Sequence, residues 1–236
     1  MDRASTRMVG AAALVLLAAV VGPAAQAAKL SKAELFVEIN VTDGDAGVQV
    51  FLDGEGWRRM KIIDPDGVKI VDTRNRGSVK IQGITEFFFE SAEPSFDVQT
   101  LEELMALFPE GVYRFEGTTT EGEVLTGKTR LTHNFPEGPM LIAPIGGDPV
   151  DPDNAVFMWA PVADPPGSEI VSYEVIVECE EPFPTKTTAI VDAATTSFTA
   201  PPEFFAQDDL DECKWEVLAK EESGNQTLNE AEFSVD

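Results

Sequence analysis

Histidine, cysteine and positive charge are scarce in this 236-residue chain. It holds one histidine, two cysteines, and 17 Lys and Arg against 42 Asp and Glu, for a net charge of −25. A single histidine, His133 in "RLTHNFP", leaves one residue on which to build a Ser-His-Asp or Cys-His arrangement. A zinc centre would need carboxylates almost throughout, which structural zinc sites disfavour. No G-x-S-x-G, P-loop, H-E-x-x-H or dinucleotide fingerprint is present, and the cysteines have no C-x-x-C spacing, which argues against a redox motif. His133 is therefore read as a structural residue near a linker. So acidic a surface repels nucleic-acid phosphates and anionic lipid, so no nucleic-acid partner is expected.

Long apolar runs are missing as well, except at the start. Arg3 and Arg7 precede "MVGAAALVLLAAVVGPAA", and "AAQAA" supplies small residues for cleavage, the pattern of a secretory signal peptide over residues 1–28. Without it, Arg3, Arg7 and Asp2 are gone and the remaining 15 basic and 41 acidic residues carry a net charge of −26. No later segment is long and apolar enough for a membrane span. The expected protein is exported, periplasmic or extracellular.

What is present is β-pattern. Leu35, Val37, Ile39 and Val41 share one face, Val48, Val50 and Leu52 continue it, and "GWRRMKIIDPDGVKIVD" reads as a hairpin turning at "DPDG". One short helix interrupts the strands: Thr100 and Glu103 form a capping box, Leu101, Leu104, Met105 and Phe108 recur at helical spacing, and Pro109 stops it. "GVYRFEG" and "GEVLTGKTRLTH" pair around "TTTEG". The Pro and Gly content of "NFPEGP", residues 134–139, marks a linker. The fold class is all-β: an N-terminal β-rich domain over 29–138, a sandwich with a single short helix, and a second β-sandwich over 139–236.

In that second region "AVFMWAPV", "GSEIVSYEVIVE", "TTSFTAP" and "CKWEVLAKEESGN" resemble the B, C, E and F to G segments of a fibronectin type III domain. The resemblance implies a two-sheet sandwich in which Phe157 and Trp159 face Tyr173, Val175, Val177, Trp215 and Val217. It departs from the family at Cys213, which stands where a corner tyrosine is usual. Counting by twos from Tyr173 puts Cys179 on the inward face at the end of strand C. Strand F runs antiparallel beside C, so Cys179 and Cys213 are expected to form a disulfide. The N-terminal run "EINVTDGDAGVQVFLDGEGW" with "DPDG", "FFFESAEPSF" and "FPEGVYRFEG" resembles an uncharacterised domain that precedes fibronectin-like modules in exported bacterial proteins. It is more faintly similar to the jelly-roll P domain of proprotein convertases. These likenesses imply architecture only.

Two sets of residues are candidates for a site. Asp43 and Asp45 in one loop, with Asp53 and Glu55 in the next, could offer calcium its hard oxygens; no other cofactor is expected. The EF-hand pattern fails, since Gly54 stands where a glutamate is required, and solvated Asp-Gly turns are the competing reading. The second set reverses the local charge: Arg58, Arg59, Lys61, Lys69, Arg74, Arg76 and Lys80 lie among only Asp64, Asp66 and Asp72. With Trp57 as a stacking platform, Arg58 and Arg59 could hold an anionic or sugar group. The competing reading is outward residues of strands paired with abundant acids. The function expected is an exported, non-catalytic binding protein with a protein or glycan ligand. A carboxylate-based glycan-active enzyme and a calcium-dependent adhesion module are the alternatives.

Overall fold

The computed structural model describes residues 27–207 and 209–236; all of the expected signal peptide except Ala27 and Ala28 lies outside them. The strands are β1 (Ala28–Lys29), β2 (Lys32–Asn40), β3 (Asp45–Ile63), β4 (Lys69–Arg74), β5 (Ile84–Glu90), β6 (Gly111–Thr119), β7 (Val124–Leu131), β8 (Leu141–Ala143), β9 (Pro149–Val150), β10 (Val156–Trp159), β11 (Ile170–Glu181), β12 (Thr185–Asp192), β13 (Ser197–Thr199), β14 (Asp211–Glu221) and β15 (Gln226–Val235). Among the described residues the chain is all-β with two short α-helices, α1 (Gly77–Gln82) and α2 (Leu101–Leu107), and one 3-10 turn, Pro202–Phe205. α2 carries the expected capping box, Thr100 Oγ1 accepting from the Glu103 amide while the Glu103 carboxylate accepts from the Thr100 amide. α1 corrects the expectation of a single helix: it buries none of its residues, so no amphipathic pattern announces it.

The C-terminal half is a two-sheet β-sandwich. β13, β10 and β8 form one sheet, opposed by β12, β11, β14 and β15. Alternation along β11 and β14 buries Tyr173, Val175, Val177, Trp215 and Val217 against Phe157 and Trp159. Phe157 stacks obliquely on Trp215 at 5.2 Å and Trp159 edge-on to Tyr173 at 5.6 Å. Cys179 and Cys213 stand directly opposite in the β11–β14 ladder and are bonded, with Cα atoms 4.0 Å apart. Such a bond persists in an oxidising compartment.

The N-terminal half is organised by β3. Residues 45–53 pair with β2 on one side and β5 on the other, and residues from Trp57 onward pair with β6 and β4. Register shifts fall between Asp53 and Trp57 against β5, and between Trp57 and Arg59 against β6. "DGEG" is therefore a bend inside one 19-residue strand instead of a loop between two, and it carries β3 from one set of partners to the next. Gly54 is needed there, because a Cβ would come 3.0 Å from Leu30 Cδ2. The "DPDG" turn forms as expected, the Val68 amide donating to Asp64 Oδ1 at 2.7 Å.

The two cores are joined. β15 pairs in parallel with β2, matching Gln226 with Glu38, Thr227 with Ile39 and Leu228 with Asn40. Asn225, fully buried, clamps this seam: its Oδ1 accepts from the Val37 amide at 3.0 Å and its Nδ2 donates to the Thr132 and Asn134 carbonyls. The "NFPEGP" segment lies along it, with Asn229 Nδ2 donating to the Pro139 carbonyl at 2.9 Å. His133 is pinned nearby, its Nε2 2.9 Å from the Phe108 carbonyl oxygen.

Candidate functional site

The reversed charge survives in three dimensions as a cleft. Arg58 and Arg59 on β3, Arg74 at the end of β4, and Arg76 and Lys80 around α1 line a cavity of ≈ 320 Å³ with Asn75 and Thr118. Local bonds set its shape. Asn75 donates through Nδ2 to the Trp57 carbonyl at 2.7 Å and through its amide to the Arg58 carbonyl, tying the start of the α1 segment to β3. Arg58 Nε donates to the Thr119 carbonyl at 2.8 Å, which fixes its guanidinium against β6.

Electrostatically the cleft is unbalanced. Arg59 and Arg74 are directly opposite in the β3–β4 ladder, a position where like charges are destabilising. Asp72 relieves one of them through a two-point bond with Arg59 at 2.7 and 2.8 Å, and also takes Lys69 at 2.6 Å. These bonds hold the Asp72 carboxyl well below the ordinary range and push the Arg59 guanidinium up. Among the described residues, Arg58, Arg74, Arg76 and Lys80 have no carboxylate within ion-pair distance. In so acidic a chain, four cations without carboxylate partners in one cleft are the clearest departure from simple charge mixing. A larger cleft of ≈ 500 Å³ between β1, β6 and β7 mixes Lys29, Arg114 and Lys128 with Glu116 and lacks this one-signed character.

The expected stacking platform is corrected. Trp57 is 1% exposed and lies in the N-terminal core with Met60 and Ile62, because the bend in β3 turns its side chain inward. Arg58 and Arg59 stay at the surface, without the indole.

The four acids proposed for calcium are kept apart. Asp43 is held in its turn by Asn40, which donates to its carboxylate and accepts from its amide, each at 3.0 Å. Asp45 begins β3; Asp53, eight residues along the same strand, takes the Ser31 hydroxyl at 2.7 Å. At about 3.3 Å per residue that places Asp45 and Asp53 roughly 26 Å apart along an extended strand. One ion cannot be shared by all four.

A different acidic group does converge. Glu38 of β2, Glu90 of β5 and Glu93, just past β5, bring carboxylate oxygens within 4.8 Å of one another. Burial, then the neighbouring Glu90, Glu38, Asp45 and Asp43, raises the Glu93 carboxyl to about 7. Burial also raises Glu38 and Asp45. Only Gly47, a small residue in an alternating strand, hinted at this group in the sequence.

No family model matches this chain, and no curated protein does. Solved structures do resemble it at a distance. Part of a 1.5-MDa bacterial ice-binding adhesin is 13% identical over 89% of this chain and 66% of its own length, TM-score 0.29. A biofilm-associated protein's BSP domain is 12% identical over 86% of this chain and 29% of its own, TM-score 0.27. Dpr11 IG1 bound to DIP-gamma IG+IG2 is 10% identical over 86% and 98%, TM-score 0.24. At scores this low neither topology nor ligand carries over to this chain.

Proposed function

We propose that this chain is an exported, non-catalytic binding protein that captures a compact anionic group, a carboxylate or sulfate borne by a protein or glycan, in the Arg58, Arg74, Arg76 and Lys80 cleft. The observation that carries the reading is the set of four cations without carboxylate partners in a chain of net charge −25. A guanidinium presents a rigid fork of donors that matches such groups two bonds at a time. A long polyanion is disfavoured, because the acidic remainder of the surface repels it beyond the cleft. Ile81 on α1, 83% exposed beside Lys80, offers an apolar contact to a ligand backbone. The C-terminal sandwich is read as fibronectin type III in type, on its split of three strands against four, and acts as a spacer or second face. The halves divide near residues 138 and 139.

The test is equilibrium binding of a labelled disulfated disaccharide and of a short acidic peptide to the purified chain and to an Arg74→Ala, Arg76→Ala, Lys80→Ala variant. All three positions are exposed, so the variant is expected to fold. The reading expects binding that weakens with added salt and drops at least tenfold in the variant. Equal binding by both proteins refutes it, and turnover of the disaccharide would favour the glycan-active enzyme.

A further inference from the structure

Glu38, Glu90 and Glu93 are brought together by pairing register. Glu38 on β2 stands opposite Gly47 on β3, Gln49 two residues on stands opposite Glu90 on β5, and Gln226 on β15 stands beside Glu38. All of these positions are on one face of the sheet. Gly47 leaves the gap that Glu93 fills: a Cβ there would meet the Glu93 side chain at 2.7 Å. Ser91 steers the chain across that gap, its amide donating to the Val48 carbonyl and its hydroxyl accepting from the Val48 amide, both at 2.9 Å. Among the described residues no Lys or Arg pairs with any of the three acids. Lys220, whose charge acts on Glu38, is engaged by Glu174.

A second observation, independent of the acids, points to a ligand. Gln226 is 4% exposed and its amide nitrogen donates to the Glu38 carboxylate, which holds its head group at the cluster, yet its Oε1 is buried with no hydrogen-bond partner among the described residues. Asp45, two residues before Gly47 on the same face, also has a buried oxygen without a partner. Unpaired buried acceptors are costly. A hard cation answers carboxylate and amide oxygens together.

We propose that Glu38, Glu90 and Glu93, with the amide oxygen of Gln226, bind one calcium ion on the seam between the two halves. The carboxylate oxygens of Glu38, Glu90 and Glu93 lie within 4.8 Å of one another, about twice a calcium–oxygen distance of roughly 2.4 Å, so the three fit on one calcium shell; the Gln226 head group, held at Glu38, supplies the neighbouring amide oxygen and water completes the shell. Magnesium demands a smaller, near-octahedral arrangement and gives up its waters reluctantly. Gln226 belongs to β15 and the acids to β2 and the β5 segment, so the ion contacts both sides of the joint.

The test is isothermal titration of chelator-treated chain with calcium chloride and, separately, magnesium chloride. Wild type is expected to bind one calcium per chain, with magnesium at least tenfold weaker. Glu93→Gln and Glu38→Gln, near-isosteric changes that relieve repulsion and so preserve the fold, are expected to weaken calcium at least tenfold. Asp53→Asn with Glu55→Gln should leave binding unchanged. Equal affinities for the two metals, absence of calcium binding, or calcium binding insensitive to Glu93→Gln and Glu38→Gln would overturn the proposal.

Discussion

The two cores bury similar aromatic and aliphatic side chains by different routes. Around Trp159 and Trp215 two sheets face each other, and along β10, β11 from Tyr173 onward and β14 the alternation of side chains places Phe157, Trp159, Tyr173, Val175, Val177, Trp215 and Val217 inward. Around Trp57 one strand pairs with successive neighbours, and the inward face changes parity on the way: Val48, Val50 and Leu52 are buried, then Trp57, then Met60 and Ile62. A straight period-two count from Leu52 sends Trp57 to solvent; the bend at Gly54 and Gly56 brings it back. Regular strands express their burial in sequence, whereas a bent strand hides it in the two or three residues that bend.

The comparison is broken most forcefully at Trp57 itself. Trp57→Ala should cost about 3–5 kcal/mol of N-terminal stability in urea unfolding, as a buried tryptophan does. A loss under about 1 kcal/mol would mean that the side chain lies outside the core. On the other side, replacing Cys179 and Cys213 together by alanine should lower the C-terminal half by roughly 3–4 kcal/mol, the chain-entropy value for a loop of this length. That loss should spare the unfolding of the Trp57 core.

The seam tests whether the halves are independent at all. Asn225→Ala removes the acceptor of the Val37 amide and the donor to two carbonyls; about 2–3 kcal/mol should be lost. Two unfolding transitions should separate where wild type shows closer coupling. If they do not separate, the sheet pairing of β2 with β15 alone holds the halves together.

The smallest effect is a pH dependence. Glu216 on β14 is raised to about 7, chiefly by burial, against the pull of Lys214 and Lys186 and with the push of Glu178 and Glu230. An acid whose folded value exceeds its unfolded one keeps its proton longer in the native state. Its contribution is therefore intact below the unfolded value, and is lost as pH rises through about 7. Glu216→Gln removes that slope, so the variant should be more stable than wild type near pH 8 and level with it near pH 4. Parallel curves would place Glu216 in water.

Legibility followed the same division. The Thr100–Glu103 cap was readable from short-range chemistry, whereas the facing aromatics and the Cys179–Cys213 pair were readable through the strand order that the resemblance to fibronectin type III domains implies, with alternation along each strand setting the inward face. The reversed charge from Arg58 to Lys80 was readable too, because a hairpin keeps those residues close. Glu38, Glu90 and Glu93 were not, because their meeting depends on which strands flank β3 and on the empty side of Gly47. The acids that were singled out, Asp43, Asp45, Asp53 and Glu55, looked clustered only because sequence distance conceals the length of an extended strand.

The central claim is that the ligand is taken by the bent half while the regular sandwich supports it. Hydrogen exchange of the purified chain with and without the disulfated disaccharide tests this most directly. Slowed exchange at residues 58–80, with β10 to β14 unchanged, is expected if the ligand sits in the cleft. Protection confined to the C-terminal sandwich would contradict it.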